Sequence, residues 1–154
     1  MQVFLPFPDI DKSLRCLDKK RLGKQRVEAK QLINTITGIS DGWKNHPCTK
    51  MYTEYLGFLK HYYNRSLSIF SEKGGNNILL QPIEETDIVN PPWFGSEEFH
   101  RSHLSNLLRK AIDDNNGLGR DGPKNPSSEL LVNLKKFGFY PDNLSANIEY
   151  IWYA

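Results

Sequence analysis

Cysteine is nearly absent from this 154-residue sequence: Cys16 and Cys48 are the only two. They lack the close pairing of a zinc knuckle, and two are too few for the disulfide framework of a small secreted domain, so reduced thiols are expected. Long apolar runs are also missing, since none approaches the roughly 20 residues that span a bilayer. The opening MQVFLPFPDIDK is apolar but broken by prolines, with neither a basic n-region nor a small-residue cleavage site. No secretory signal is read there, and no membrane partner is expected. No phosphate-binding P-loop, dinucleotide fingerprint, HExxH or nucleophile elbow occurs, which removes the commonest nucleotide, metalloprotease and serine-hydrolase readings. His100 and His103 stand three apart, but no third ligand follows at a useful spacing, so neither a metal nor any other cofactor is expected.

What is present fits one domain spanning residues 1–154. Hydrophobic residues make up 38% and charged residues 25%, the balance of a globular chain with one core. PFPDIDKS is a turn-rich entry in which Asp11 or Ser13 can cap a helix from about Leu14. Leu22, Ala29, Ile33 and Ile36 form a helical stripe that ends at Gly38, with Gly23 a weak point or kink. Met51, Tyr55, Phe58, Tyr62 and Ile69 predict a second, longer helix, stopped by Gly74 and Gly75. Residues 76–95 are too proline-rich for a central strand. Ser96 with Glu97 and Glu98 opens a third helix whose buried side is Leu104, Leu107, Leu108 and Ala111. Residues 112–128 read as a flexible loop or insertion, and Glu129 to Lys136 as a short helix. No repeat and no strand alternation of useful length occurs. The expected fold is all-α, a compact arrangement of about three main helices with irregular connections. Its aromatic C-terminal tail is expected to close over the core more than to offer stacking faces.

The net charge is only +2, but its distribution is uneven. From Lys12 to Lys30 there are eight basic residues against Asp18 and Glu28, a net +6, whereas residues 84–98 carry five acids and no Lys or Arg. A solvated basic helix explains such a run; a surface that tracks phosphates explains it too. Within RLGKQRVEAKQLI, residues 21–33, the lone acid Glu28 shares a polar face with Arg21 and Lys24, while Arg26 lies near the apolar stripe. A carboxylate among cations suits the stabilisation of developing positive charge or the activation of a nucleophile. It also suits a surface ion pair with Lys24, which would contribute under about 1 kcal/mol.

The order of several motifs narrows these alternatives. LDKKRLGKQRVEA resembles the N-terminal helix of the pyrimidine dimer DNA glycosylase family, the phage endonuclease V type, in which the catalytic glutamate comes six positions after a leucine that follows a basic residue. Here those positions are Arg21, Leu22 and Glu28. FLPFPD, GWKNHP at 42–47, PPWFG at 91–95, FHRSHLSNLLRK at 99–110 and the ending YIWY look like a bacterial branch of that family. The resemblance implies an all-α enzyme that binds and bends double-stranded DNA, exposes a lesion and cuts the N-glycosidic bond. It implies Glu28 as the catalytic acid. It further implies that the N-terminal α-amine attacks the sugar C1′ and then cleaves the strand as an AP lyase. That amine would be Met1's, because the bulk of Gln2 disfavours removal of the methionine. DNA contacts are expected from Arg21, Lys24, Gln25, Arg26, Asn45, His46, His103, Arg109 and Lys110; Val27 stands where the family has an arginine before the glutamate. The protein is expected to be a monomer in the cytoplasm, associated with the nucleoid.

Two other readings stay open at the level of sequence. A glycosylase of the same mechanism could remove modified bases from foreign phage DNA as a defence. Alternatively, the basic helix could belong to a non-catalytic DNA-binding module, in which case Glu28 should point away from the N-terminus.

Overall fold

The structure, a computed structural model, describes residues 1–118 and 128–153, and among them there are six helices and no strand. Helix α1 spans Ile10–Cys16, α2 Lys19–Ile36, α3 Pro47–Tyr52, α4 Leu56–Glu72, α5 Glu97–Asn115 and α6 Glu129–Lys136. Three are long, with 18, 17 and 19 residues in α2, α4 and α5, so the fold is all-α with three main helices and short ones between. No described helix is long and apolar enough to cross a membrane.

Local chemistry explains the boundaries. Asp9, rather than Asp11 or Ser13, caps α1 by accepting the Lys12 N–H at 2.9 Å. Asp18 caps α2 through the Arg21 N–H, and Gly38, at φ 82°, turns the chain away just after the helix ends. Gly23 does not break α2; a Cβ there would sit 3.1 Å from the Phe70 ring, so its missing side chain lets α2 lie close against α4. The expected single helix through Met51 and Ile69 is instead two, α3 and α4, interrupted at Thr53–Tyr55. At the restart of α4, a Cβ on Gly57 would fall 2.0 Å from the Asp87 carbonyl oxygen, which shows how tightly the irregular 76–95 segment lies there. Ser96 precedes α5 without donating or accepting a side-chain capping bond. That helix runs on to Asn115, past the expected start of the loop at 112; positions 119–127 of that loop lie outside the described residues. Ser128 caps α6 by accepting the Leu131 N–H.

The core's most unusual element is an extended strap, residues 2–7, with Val3 and Leu5 fully buried. A buried extended segment outside a sheet must find partners for its backbone, and here side chains provide them. The Phe4 N–H donates to Gln25 Oε1 and its carbonyl accepts from the Tyr62 hydroxyl, both at 3.0 Å. The Leu5 N–H donates to His103 Nδ1 at 2.9 Å, and the Leu5 carbonyl lies 2.6 Å from His100 Nδ1. Ser13 Oγ bonds both the N–H and the carbonyl of Phe7 at 3.0 Å. The strap thus lies between α2 and α4 on one side and α5 on the other. The tail closes over it: Phe137 and Phe139 pack on Phe7, and Tyr150 on Phe4. Trp152 and Tyr153 end the tail partly exposed.

The i,i+3 histidines therefore grip one residue's backbone. His100 Nε2 accepts the Gly95 N–H, so its proton sits on Nδ1 and goes to the Leu5 carbonyl; His103 is the opposite tautomer. Burial lowers both pKa values, that of His103 to about 3. A histidine held neutral in the folded state binds fewer protons than the unfolded chain, so its stabilisation is present above about pH 6.5 and is lost as pH falls towards 3. Unfolding free energy should fall over that window by up to about 1.4 kcal/mol per pH unit on account of His103. His103→Asn, which keeps an acceptor for the Leu5 N–H, should flatten the slope in denaturant titrations. An equally steep slope in the variant would remove His103 as its source.

Candidate active site

The strap brings the beginning of the chain to α2. The Gln2 N–H donates to Glu28 Oε2 at 3.2 Å, and the same oxygen accepts from Gln25 Nε2 at 3.2 Å. Glu28 Oε1 lies 3.8 Å from Lys24 Nζ, and its side chain is only 12% exposed. The lone acid of the basic helix is thus more than half of a surface ion pair. It is directed towards the N-terminus, the opposite of what a purely phosphate-tracking helix predicts.

Glu28 opens into a cavity of about 640 Å³. Met1, Gln2 and Phe4 form one side of it, Arg21, Lys24 and Gln25 a second, and Arg109, Lys110, Tyr150 and Trp152 a third. The volume lies in the range of sites that enclose a small organic ligand. Five cations line it, Lys20, Arg21, Lys24, Arg109 and Lys110, but so do Asp18, Asp113 and Asp114.

Those aspartates change the role of Arg21. Its Nη1 lies 2.6 Å from Asp114 and 3.1 Å from Asp18, with all three side chains largely buried. Burial alone would lower the Arg21 pKa, and the bonds to Asp114 and Asp18 more than reverse this. Arg21 therefore ties the start of α2 to the end of α5 and has little charge left over for an anion.

The other residues expected at DNA divide between the cavity's surroundings and other parts of the fold. Gln25 is buried, with Oε1 accepting from Phe4 N–H and the Tyr62 hydroxyl and Nε2 donating to the Gln2 carbonyl and Glu28. It positions the strap and Glu28; it contributes to the cavity wall, with both of its polar atoms already engaged. Arg26 faces away from the cavity, stacked 3.8 Å over Phe70 and bonded to Asn77 Oδ1 at 2.6 Å. His103 is fully buried under Leu5 and cannot reach a phosphate. Asn45 is exposed in the turn before α3. His46 caps that helix through the Cys48 N–H, and its ring packs edge-on between Trp43 and Trp152. Burial and the positive N-terminus nearby lower the His46 pKa. Met1, Arg21, Lys24, Gln25, Glu28, Arg109 and Lys110 are brought together around one cavity. Asp18, Asp113 and Asp114 join them without having been marked as site residues, and so do Tyr150 and Trp152 from the YIWY ending.

The model of the pyrimidine dimer DNA glycosylase family matches residues 1–79, which hold the strap, Glu28 and helices α1 to α4. The chain belongs to that family. No match was found among curated proteins or solved structures. Membership makes DNA the substrate and base excision the class of reaction. The half of the chain beyond residue 79 supplies the cavity's other wall, through Arg109, Lys110, Tyr150 and Trp152.

Proposed function

We propose that this protein excises a pyrimidine-dimer-type lesion from duplex DNA, with Glu28 as the catalytic acid and the Met1 amine as nucleophile, and then cleaves the strand as an AP lyase. The observation that carries the reading is the Gln2 N–H bonded to Glu28 at 3.2 Å at the wall of the cavity. It holds the chain's first peptide group on the carboxylate, one residue from the amine.

The amine's lone pair forms a bond to C1′ as the bond from C1′ to the base nitrogen breaks; the base nitrogen keeps that electron pair and takes up a proton, and the base stays tethered to the strand through its dimer partner. Loss of a proton from the attacking nitrogen, with opening of the sugar ring and protonation of O4′, gives an imine. Removal of a C2′ proton then expels the 3′ phosphate by β-elimination. Glu28 stabilises the cationic sugar electrostatically and accepts and returns protons, a role suited to a carboxylate within reach of the sugar. Lys24, Arg109 and Lys110 hold the flanking phosphates.

The test is cleavage of the N-glycosidic bond, termed base release below and read as alkali-labile abasic sites or strand breaks because a dimerised base stays joined to its neighbour, in duplexes that are irradiated, that carry a modified base, or that are undamaged. Release from the irradiated duplex alone is expected. Release confined to the modified duplex would transfer the enzyme to other lesions, and release from none would end the glycosylase reading.

The Arg21 pairing leads to a separate expectation for binding. Asp114→Asn removes the shorter of Arg21's two ion pairs and frees the guanidinium for phosphate. Binding to duplex DNA should tighten, and the slope of log affinity against log salt should steepen by about 0.9, the value for one added phosphate contact. Anisotropy titrations at several salt concentrations read this directly; an unchanged slope would place DNA away from Arg21.

A further inference from the structure

Beside the cavity stands a loop that is held firmly and covered by nothing. Residues 37–45 are all exposed. Their backbone is nevertheless well bonded: Ile39 N–H donates to the Asn34 carbonyl at 2.8 Å, Thr35 Oγ1 donates to the Gly42 carbonyl, and Thr49 Oγ1 donates to the Trp43 carbonyl at 2.7 Å. At the loop's end Trp43 has φ 65°, the one positive φ outside glycine among the described residues. A bulky residue in the left-handed region is an outlier that persists only where its surroundings impose it. Gly42, its neighbour, could take that conformation without strain and does not. The result is an indole 50% exposed.

The indole's place is as informative as its exposure. Its ring packs edge-on against His46 at 5.6 Å, and His46 packs against Trp152 at 5.7 Å, so two ring contacts connect Trp43 to the cavity wall. Ile78 and Leu79 are more exposed but aliphatic, and neither lines the cavity. Leu118 lines it but has no flat face to offer a base.

We propose that Trp43 is the wedge that enters the duplex next to the extruded nucleotide and replaces the stacking lost there. The proposal rests on the glycosylase reading of the Glu28 cavity. Taking a nucleotide out of the stack leaves its neighbours with unpaired faces, and an inserted apolar or aromatic side chain compensates for them. Tryptophan supplies the largest flat face, and the bonded loop behind it keeps the ring from folding back. His46 sets the direction of the ring from behind.

Two variants and two readouts test this. Trp43→Asn removes the ring and tolerates the left-handed backbone, and Trp43→Phe retains a flat face. Under single turnover, Trp43→Asn should slow base release from an irradiated duplex about 10- to 100-fold, the range that corresponds to the stacking of one base on an aromatic. On the same irradiated strand without its complement, where little stacking has to be broken, the loss should be under threefold, and Trp43→Phe should recover most of the duplex rate. The second readout needs no bond cleavage: 2-aminopurine placed opposite the lesion, where it loses its partner and is not the face that the indole covers, should brighten when wild-type protein binds and stay dim with Trp43→Asn. Equal duplex rates, equal losses on both substrates, or no brightening by the wild type would each overturn the wedge. A wild type that brightens 2-aminopurine yet releases no base would instead count against the glycosylase reading alone.

Discussion

Glu28→Gln is expected to lower base release by three orders of magnitude or more while the protein still folds and still binds DNA. Fold should survive because the substitution keeps the side chain's shape and leaves an oxygen to accept the Gln2 N–H. Gln25 holds the strap by its own bonds to Phe4 and Gln2, which do not pass through Glu28. Affinity should hold or rise, since a carboxylate at the cavity wall repels phosphate. The rate should collapse because an amide neither accepts the proton nor offsets the charge of a cationic sugar, and general acid–base and electrostatic effects each contribute about 10²-fold or more. Single-turnover release from irradiated duplex, alongside binding and thermal unfolding, separates these effects. A rate within about twofold of wild type would remove Glu28 from the chemistry.

The second large effect concerns the amine. Borohydride added during turnover should trap the wild type covalently on DNA, because it reduces the imine to a stable amine. One extra residue placed ahead of Met1 moves the amine by about 3.8 Å, and chemistry that depends on near-contact geometry does not tolerate such a shift. Trapping and strand cleavage should both disappear in that variant, with Gln2 still bonded to Glu28. Pro6, which has no N–H to satisfy and a fixed φ, helps to keep the strap extended and so limits how far the end of the chain can wander. Should the wild type yield an intact strand with an abasic site and no trapped adduct, water is the nucleophile, and Glu28 activates it.

Much of the architecture was legible from local pattern. Helix α6 has the bounds expected of it, Glu129–Lys136, and the buried side of α5 is the one its leucines mark. The break at Thr53–Tyr55 was hidden, because Met51, Tyr55 and Phe58 continue a helical stripe straight through it. Glu28 drew notice as the one acid in a basic run, and its partners did not. Gln25, His100 and His103 are polar residues on helices, a type normally solvated, and nothing local distinguishes one that is buried to hold a strap. Their counterparts lie 21 to 98 residues away in sequence. The same holds for Asp114, which reaches Arg21 across 93 residues and turns an apparent phosphate ligand into a structural tie.

The strap also bears on the order in which the protein is made. Residues 2–7 leave the ribosome long before Tyr62, His100 and His103, the groups that receive their backbone. Because such distant contacts form late, the head of the chain stays an exposed apolar thread until α5 has been synthesised and docked. A nascent or truncated chain therefore has the glutamate and the basic helix without the alignment that joins them to the N-terminus. The alignment of Glu28 with the first residues of the chain is therefore among the last features of the fold to form.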